Sequence, residues 1–364
     1  MLSDYNQFAL TYAQCLLDRR AALLQVCAVM AVLSEQSGWP AIARTRSSDR
    51  TDKEEQSMTW FALATYQGEK GYCPAIAVRG TIFDLVEVSS ALGKASAAAD
   101  VNTIIKTWDV RRESLFNLAD AISAELEAGR SPASPIAAQA LTTPFEPRRV
   151  FGAASNFIEH ADEMQTKLAA KADSEPYIFL KTVESVIGPH ETVFVPRQVK
   201  RPDWEVELGV VVGRSGKRIS VEDAFDHIAG YTIVNDVSAR DQTRRTDFPF
   251  SHDWFRGKSF DTFTPIGPWF VPRDCLGDPH NIRLGLKVNG EVMQDGNTSE
   301  MIFNIFEQIA YLSNILELKP GDLIASGTPA GVGMGRGIFL KNKDVMAAWV
   351  DGIGELINPV VLEK

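Results

Sequence analysis

The chain reads as an α+β protein built mainly of strands, and three features of the sequence predict it. Short Val/Ile/Phe-rich runs alternate with Gly- and Pro-bearing turns through the larger, C-terminal part. One of these runs, Arg201 to Val212, carries acidic residues at every second position, and only a few stretches show helical character. A length of 364 residues suggests two domains with an appendage. A hydrophobic share of 45% and a charged share of 23% are those of an ordinary globular protein. A net charge of −10 argues against nucleic acid as a partner, because neutralising phosphates takes a concentrated basic surface. Cys15, Cys27, Cys73 and Cys275 lie far apart with no C-x-x-C pair, which gives no zinc signature and suits a reducing, cytoplasmic compartment.

Residues 1–57 read as an extension. Asp4 to Leu33 is rich in Ala, Leu and Gln without Gly or Pro, hence helical, and its most apolar part, Ala21 to Leu33, is too short to cross a bilayer. Arg44 to Ser57 is charged and lacks apolar residues, so it reads as a solvated linker, and residues 1–57 read as dispensable. A small α+β domain is expected over 58–145. It opens with strands at Thr59–Tyr66 and Pro74–Val78 around a Gly-bearing turn, followed by helices near Leu85–Ala99 and Leu115–Ala128 that end at Gly129. Ser131–Pro135 reads as a linker into a larger, mostly β domain over 146–364.

Five blocks of the larger part carry chemistry. In Arg201–Val212, alternation on one strand places Asp203, Glu205 and Glu207 on one face, with Trp204, Val206 and Leu208 on the other. Carboxylates crowded this way repel unless they are solvated or share a hard divalent cation, and oxygen-only donors favour Mg²⁺, Mn²⁺ or Ca²⁺ over zinc. Upstream, His160 and Glu163 stand at i and i+3 of an expected helix, where the carboxylate orients the imidazole and raises its basicity. Tyr231–Val234 reads as a buried strand ending at Asn235-Asp236, a place for a further metal oxygen, although such a pair also forms plain turns. Lys258, wedged between small and apolar residues, would hold a carboxylate or a developing enolate if it stands beside a metal. Pro320–Gly333 runs from a strand into a glycine-rich loop. No G-K-[ST] follows, so a nucleotide site is not expected; the glycines let backbone approach a ligand closely, and Thr328 offers a hydroxyl.

Taken together, DWEVELGVVVG, GYTIVNDVSARD, GKSFDTFTPIGPW and IASGTPAGVG, in this order and spacing, resemble the fumarylacetoacetate hydrolase family over roughly Arg149 to Val361. The resemblance implies a homodimer and a rolled, mixed β-sandwich catalytic domain with its active site at the open end. It also implies one divalent cation, Mg²⁺ first, with Mn²⁺ or Ca²⁺ as alternatives. Glu205, Glu207 and Asp236 then fall on the metal positions, His160 and Glu163 on the catalytic dyad, and Arg240, Lys258 and Thr328 on positions that bind or polarise substrate. Gln242 directly follows Asp241, a departure from the family's spacing, and Thr243 to Phe255 is unusual in its aromatic and charged content, suiting a specificity segment or lid.

The activity expected from this set is hydrolysis of a carbon–carbon bond in a 1,3-diketo acid of the acylpyruvate type, in the setting of aromatic-compound catabolism. His160 would deprotonate water, while the cation and Lys258 stabilise the expelled enolate. The alternative at the same site is a decarboxylase, hydratase or isomerase acting on an oxaloacetate-like or unsaturated 2-keto acid. A non-catalytic binder would be expected to lack the base or a ligand, and this chain has both.

Overall fold

Apolar alternation and turn residues build two sheets whose inner faces share one core. The computed structural model describes residues 58–69, 71–94, 100–165 and 167–364, so the expected N-terminal extension lies outside the described residues. The larger sheet runs Thr81–Asp84, Gly71–Val78, Phe61–Gly68, Thr264–Pro272, Ile228–Asn235, Val206–Val212, Asp322–Ala325, Arg149–Ala154, Tyr177–Lys181. It is mixed, because Asp322–Ala325 lies parallel to Arg149–Ala154 while its other neighbour, Val206–Val212, is antiparallel. A second sheet runs Glu291–Asn297, Arg283–Val288, Val345–Val350, Gly354–Leu362, Val193–Val195. The architecture is therefore mainly β with few helices, as the sequence predicts.

Side-chain alternation divides the core. Val206, Leu208 and Val210 belong to one cluster with Leu284, Leu286, Met346, Ala348 and Leu356 of the second sheet. Val211, Val234 and Phe270 belong to another with Phe61, Leu63, Trp108 and Leu115. Each central strand is thus covered on both faces, which is why Val206–Val212 and Ile228–Asn235 are buried along their whole length.

The segment 58–145 shares this framework. Its first two strands form the expected hairpin, and Leu63 pairs with Phe270, joining the hairpin to the larger sheet. The first expected helix is observed as Leu85–Ala91, and a short helix Val101–Lys106 follows. The second expected helix starts earlier than its apolar pattern indicates, at Trp108, and runs to Glu127, with Gly129 taking φ +72° just beyond it. Trp108 sits edge-on against Phe270 at 5.5 Å, and Arg112 makes a two-pronged ion pair with Asp274. The described residues from Met58 to Lys364 belong to one compact unit.

One expectation needs correction. Asp203, Glu205 and Glu207 do not lie on a single strand: Pro202–Asp203 pairs with Ser238–Ala239, and the larger sheet takes the chain back only at Val206. At the break Trp204 donates its indole N–H to the Gly331 carbonyl, and Asp203 is joined to Glu205 through Arg240 while standing outside the group formed by Glu205, Glu207 and Asp236.

Candidate active site

Strand register brings three carboxylates together. Val206 pairs with Asn235 across the antiparallel ladder, so Asp236 follows directly opposite Glu205, whose carbonyl accepts the Asp236 N–H at 2.8 Å. The Asn235 side chain locks the step by accepting the Glu205 N–H at 3.0 Å. One oxygen each from Glu205, Glu207 and Asp236 then lies within 4.8 Å of the others, and all three residues are buried.

Buried carboxylates require counter-charges. Lys258, from the short helix Trp254–Lys258, donates to Glu205 Oε2 at 2.5 Å and to Asp236 Oδ2 at 2.6 Å. Arg240 spans Asp203 Oδ2 at 2.7 Å and Glu205 Oε1 at 2.5 Å. Lys181, on the edge strand Tyr177–Lys181, holds Asp236 Oδ1. Burial alone would raise the Glu205 carboxyl, but Arg240 and Lys258 outweigh it and hold the group well below the usual range. Burial would lower the Lys258 ammonium, but Asp236 and Glu205 outweigh it and raise the group above its ordinary value.

Glu207 is the exception. Among the described residues it makes no ion pair, and its Oε2 accepts the Gly327 N–H at 2.7 Å. Burial, then the neighbouring Asp236 and Glu205, push its carboxyl well above the ordinary value, a repulsion that a bound cation would relieve. With Glu207 ionised, four carboxylates face three cations, Lys181, Lys258 and Arg240, leaving one negative charge. A divalent cation would reverse that sign and suit an anionic substrate. Hard oxygen donors, their convergence and the unpaired Glu207 all fit such an ion, with Glu205, Glu207 and Asp236 as its holders.

The dyad stands beside this set. His160 and Glu163 share the helix Ile158–Glu163, with Nδ1 2.9 Å from Glu163 Oε1 and Nε2 4.0 Å from Glu205 Oε1. Burial works to raise the Glu163 carboxyl. Hydrogen bonds from His160 and from the Gly331 and Val332 amides prevail and hold it below the usual range. An ionised Glu163 keeps the proton on Nδ1 and leaves the Nε2 lone pair facing the carboxylate set.

The glycine-rich loop serves these acids. Its amides donate to Glu207 from Gly327, to Glu163 from Gly331 and Val332, and to Asp203 from Gly333 and Met334. Glycine is required where the loop passes closest: Gly331 has φ +103°, and a Cβ there would lie 2.1 Å from the Met293 carbonyl oxygen. The expected close backbone approach is thus made to three protein carboxylates. Thr328 is committed as well, donating to the Val206 carbonyl at 2.8 Å and accepting from Gln294 Nε2 at 2.8 Å.

Lys181 and Gln294 were not singled out from the sequence. Lys181 carried a usable signal, being the one charged residue in the apolar run Tyr177–Lys181. The segment 243–255 packs Trp254 against Phe179, with rings stacked at 5.2 Å, and Phe179 in turn lies under the Lys258 ammonium at 5.3 Å. Gln242 turns outward from the carboxylate set, donating to the Gln198 carbonyl and accepting from Arg256.

The chain is similar to several known proteins. An uncharacterised protein of Pyrococcus abyssi is 46% identical over 220 residues, covering 60% of this chain and 92% of that protein. The mitochondrial oxaloacetate tautomerase FAHD2A of Homo sapiens is 42% identical over 217 residues, covering 59% of this chain and 67% of its own length. Among solved structures, fumarylpyruvate hydrolase from Pseudomonas aeruginosa in complex with Mn²⁺ and pyruvate superposes with a TM-score of 0.55 at 32% identity, over 61% of this chain and 92% of that one. A putative HpcE protein from Mycobacterium smegmatis gives 0.66 at 32% identity, over 83% and 100%. The family model described as fumarylacetoacetate (FAA) hydrolase C-terminal matches residues 149–361, and this chain belongs to that family.

Proposed function

We propose that the protein moves a proton at the carbon next to the keto group of a small 2-keto acid, with oxaloacetate-type enol–keto tautomerisation as its reaction. The observation that carries this reading is the Glu163-bound imidazole whose free Nε2 faces the buried carboxylate set. A divalent cation held by Glu205, Glu207 and Asp236, with Mg²⁺ or Mn²⁺ as the candidates, would polarise the oxygens of the bound acid as a Lewis acid. His160 takes the enol proton at Nε2 and returns it to carbon. Glu163 stabilises the imidazolium in between, and Lys258 and Arg240 present positive charge to the developing enolate. The human tautomerase at 42% identity supports this choice of reaction.

The dyad also supports a second reading, hydrolysis of an acylpyruvate. Nε2 would then take a proton from water, the hydroxide would attack the remote carbonyl, and the carbon–carbon bond would break to release an enolate. The likeness to fumarylpyruvate hydrolase favours it. In both readings the protein works as a homodimer.

Oxaloacetate and fumarylpyruvate, assayed side by side with Mg²⁺ and Mn²⁺ by loss of enol absorbance and by product analysis, separate the two. Accelerated ketonisation of oxaloacetate with fumarylpyruvate left intact is expected. Cleavage of fumarylpyruvate as the dominant reaction selects the second reading, and inactivity on both refutes the site's assignment. His160→Ala is expected to lower kcat by about 10² to 10⁴ while keeping Mn²⁺ binding, as loss of a general base does.

A further inference from the structure

The three carboxylates are gathered by backbone register, yet register alone leaves their mutual repulsion unanswered. Lys258 and Arg240 meet part of it, both of them reaching Glu205 and Lys258 also reaching Asp236 Oδ2. Lys181 approaches Asp236 from the edge strand. Its side chain is fully buried, and its ammonium donates to Asp236 Oδ1, to the Phe263 carbonyl at 2.8 Å and to the Val237 carbonyl at 3.2 Å. An ammonium has three donors, and all three are taken, so none is left for a substrate. Phe263 and Val237 lie on separate segments of the framework, which makes the nitrogen a fixed point. Asp236 is thereby held by Oδ1, and its Oδ2 is turned to the side shared with Lys258 and Glu205.

We propose that Lys181 is a positioning residue: a permanent counter-ion that orients Asp236 and keeps the carboxylate set assembled before any cation arrives. The charge it supplies to Asp236 is one that a bound divalent ion also supplies. Removing Lys181 should therefore make the fold depend on the ion. This dependence separates an electrostatic role from packing, since a lost packing contact costs the same with and without metal.

The test compares thermal unfolding of wild type and Lys181→Met in EDTA and in saturating Mn²⁺. In EDTA the variant is expected to melt about 5–10 °C below wild type, because Asp236 loses one of its two ammonium partners and keeps only Lys258. In Mn²⁺ the gap is expected to shrink to a few degrees. An equal gap in both buffers, or none in either, overturns the proposal. Should Lys181→Met fail to fold in EDTA, the double variant Lys181→Met/Asp236→Asn carries the test, because it removes both charges. It is expected to fold and melt within a few degrees of Asp236→Asn alone, and a double variant as unstable as Lys181→Met overturns the proposal. The comparison in EDTA needs no turnover, so failure of the proposed reaction would show separately, as inactivity of a wild type that still obeys this pattern.

Discussion

At the scale of single residues, the site is a set of charges whose states are set by their neighbours. Glu163 offers the cleanest reading because its partners are its own dyad histidine and two loop amides. Its carboxyl sits below the ordinary value of 4.5, so the stability it contributes is present above that pH and is lost as pH falls through the lower value of the folded state. Glu163→Gln cannot ionise. The variant is expected to melt below wild type at neutral pH, with the two curves converging as pH falls well below 4.5, and a gap that stays constant with pH would contradict the account of an ionised, hydrogen-bonded carboxylate. Turnover should fall together with stability, since His160 loses the group that orients it.

At the scale of elements, the loop after Asp322–Ala325 decides whether the acids are held in place. Gly331→Ala is expected to destabilise the protein by about 2 kcal/mol or more, because it combines a backbone conformation unfavourable to L side chains with a clash against Met293. The same change draws the Gly331 amide away from Glu163, so kcat should drop as well. Gly337→Ala is the matched comparison: φ is +68°, but no atom lies within 4 Å of the added carbon. It is expected to cost only about 1 kcal/mol and to leave turnover intact. Urea midpoints and kcat for the two variants check this, and equal losses would remove the loop's special role.

At the scale of the whole molecule, the segment 58–145 covers the sheet that carries the site. Phe270, on the strand beside Ile228–Asn235, packs edge-on to both Trp108 and Phe145, with ring centroids at 5.5 and 6.3 Å. Deleting this cover bares Phe270, Val234 and Val211, and leaving such a side chain exposed rather than buried costs about 1.5–3 kcal/mol each. Residues 146–364 expressed alone are therefore expected to aggregate or to melt far below the full chain by size-exclusion and thermal measurements. A monodisperse fragment of undiminished stability would show that the two parts are energetically separate.

The sequence by itself determined the strand-rich class, the opening hairpin and the helix ending at Gly129, because these follow from periodicity and turn chemistry within a few residues. It also marked Glu205, Glu207, Asp236, His160, Glu163 and Lys258 as chemically unusual, since buried charge stands out against apolar alternation. What it could not show was which charges meet. Asp203 shares the spacing of the two glutamates, but the chain breaks at Trp204 and delivers it to Arg240 and the loop amides. Thr328 reads as a free hydroxyl, whereas the fold ties it to Gln294 and Val206. Lys181 precedes Asp236 by more than fifty positions and reaches it only because sheet order sets the edge strand beside the site. Pairing across such distances is decided by register and packing between strands, and these depend on the whole sheet rather than on any local stretch of sequence.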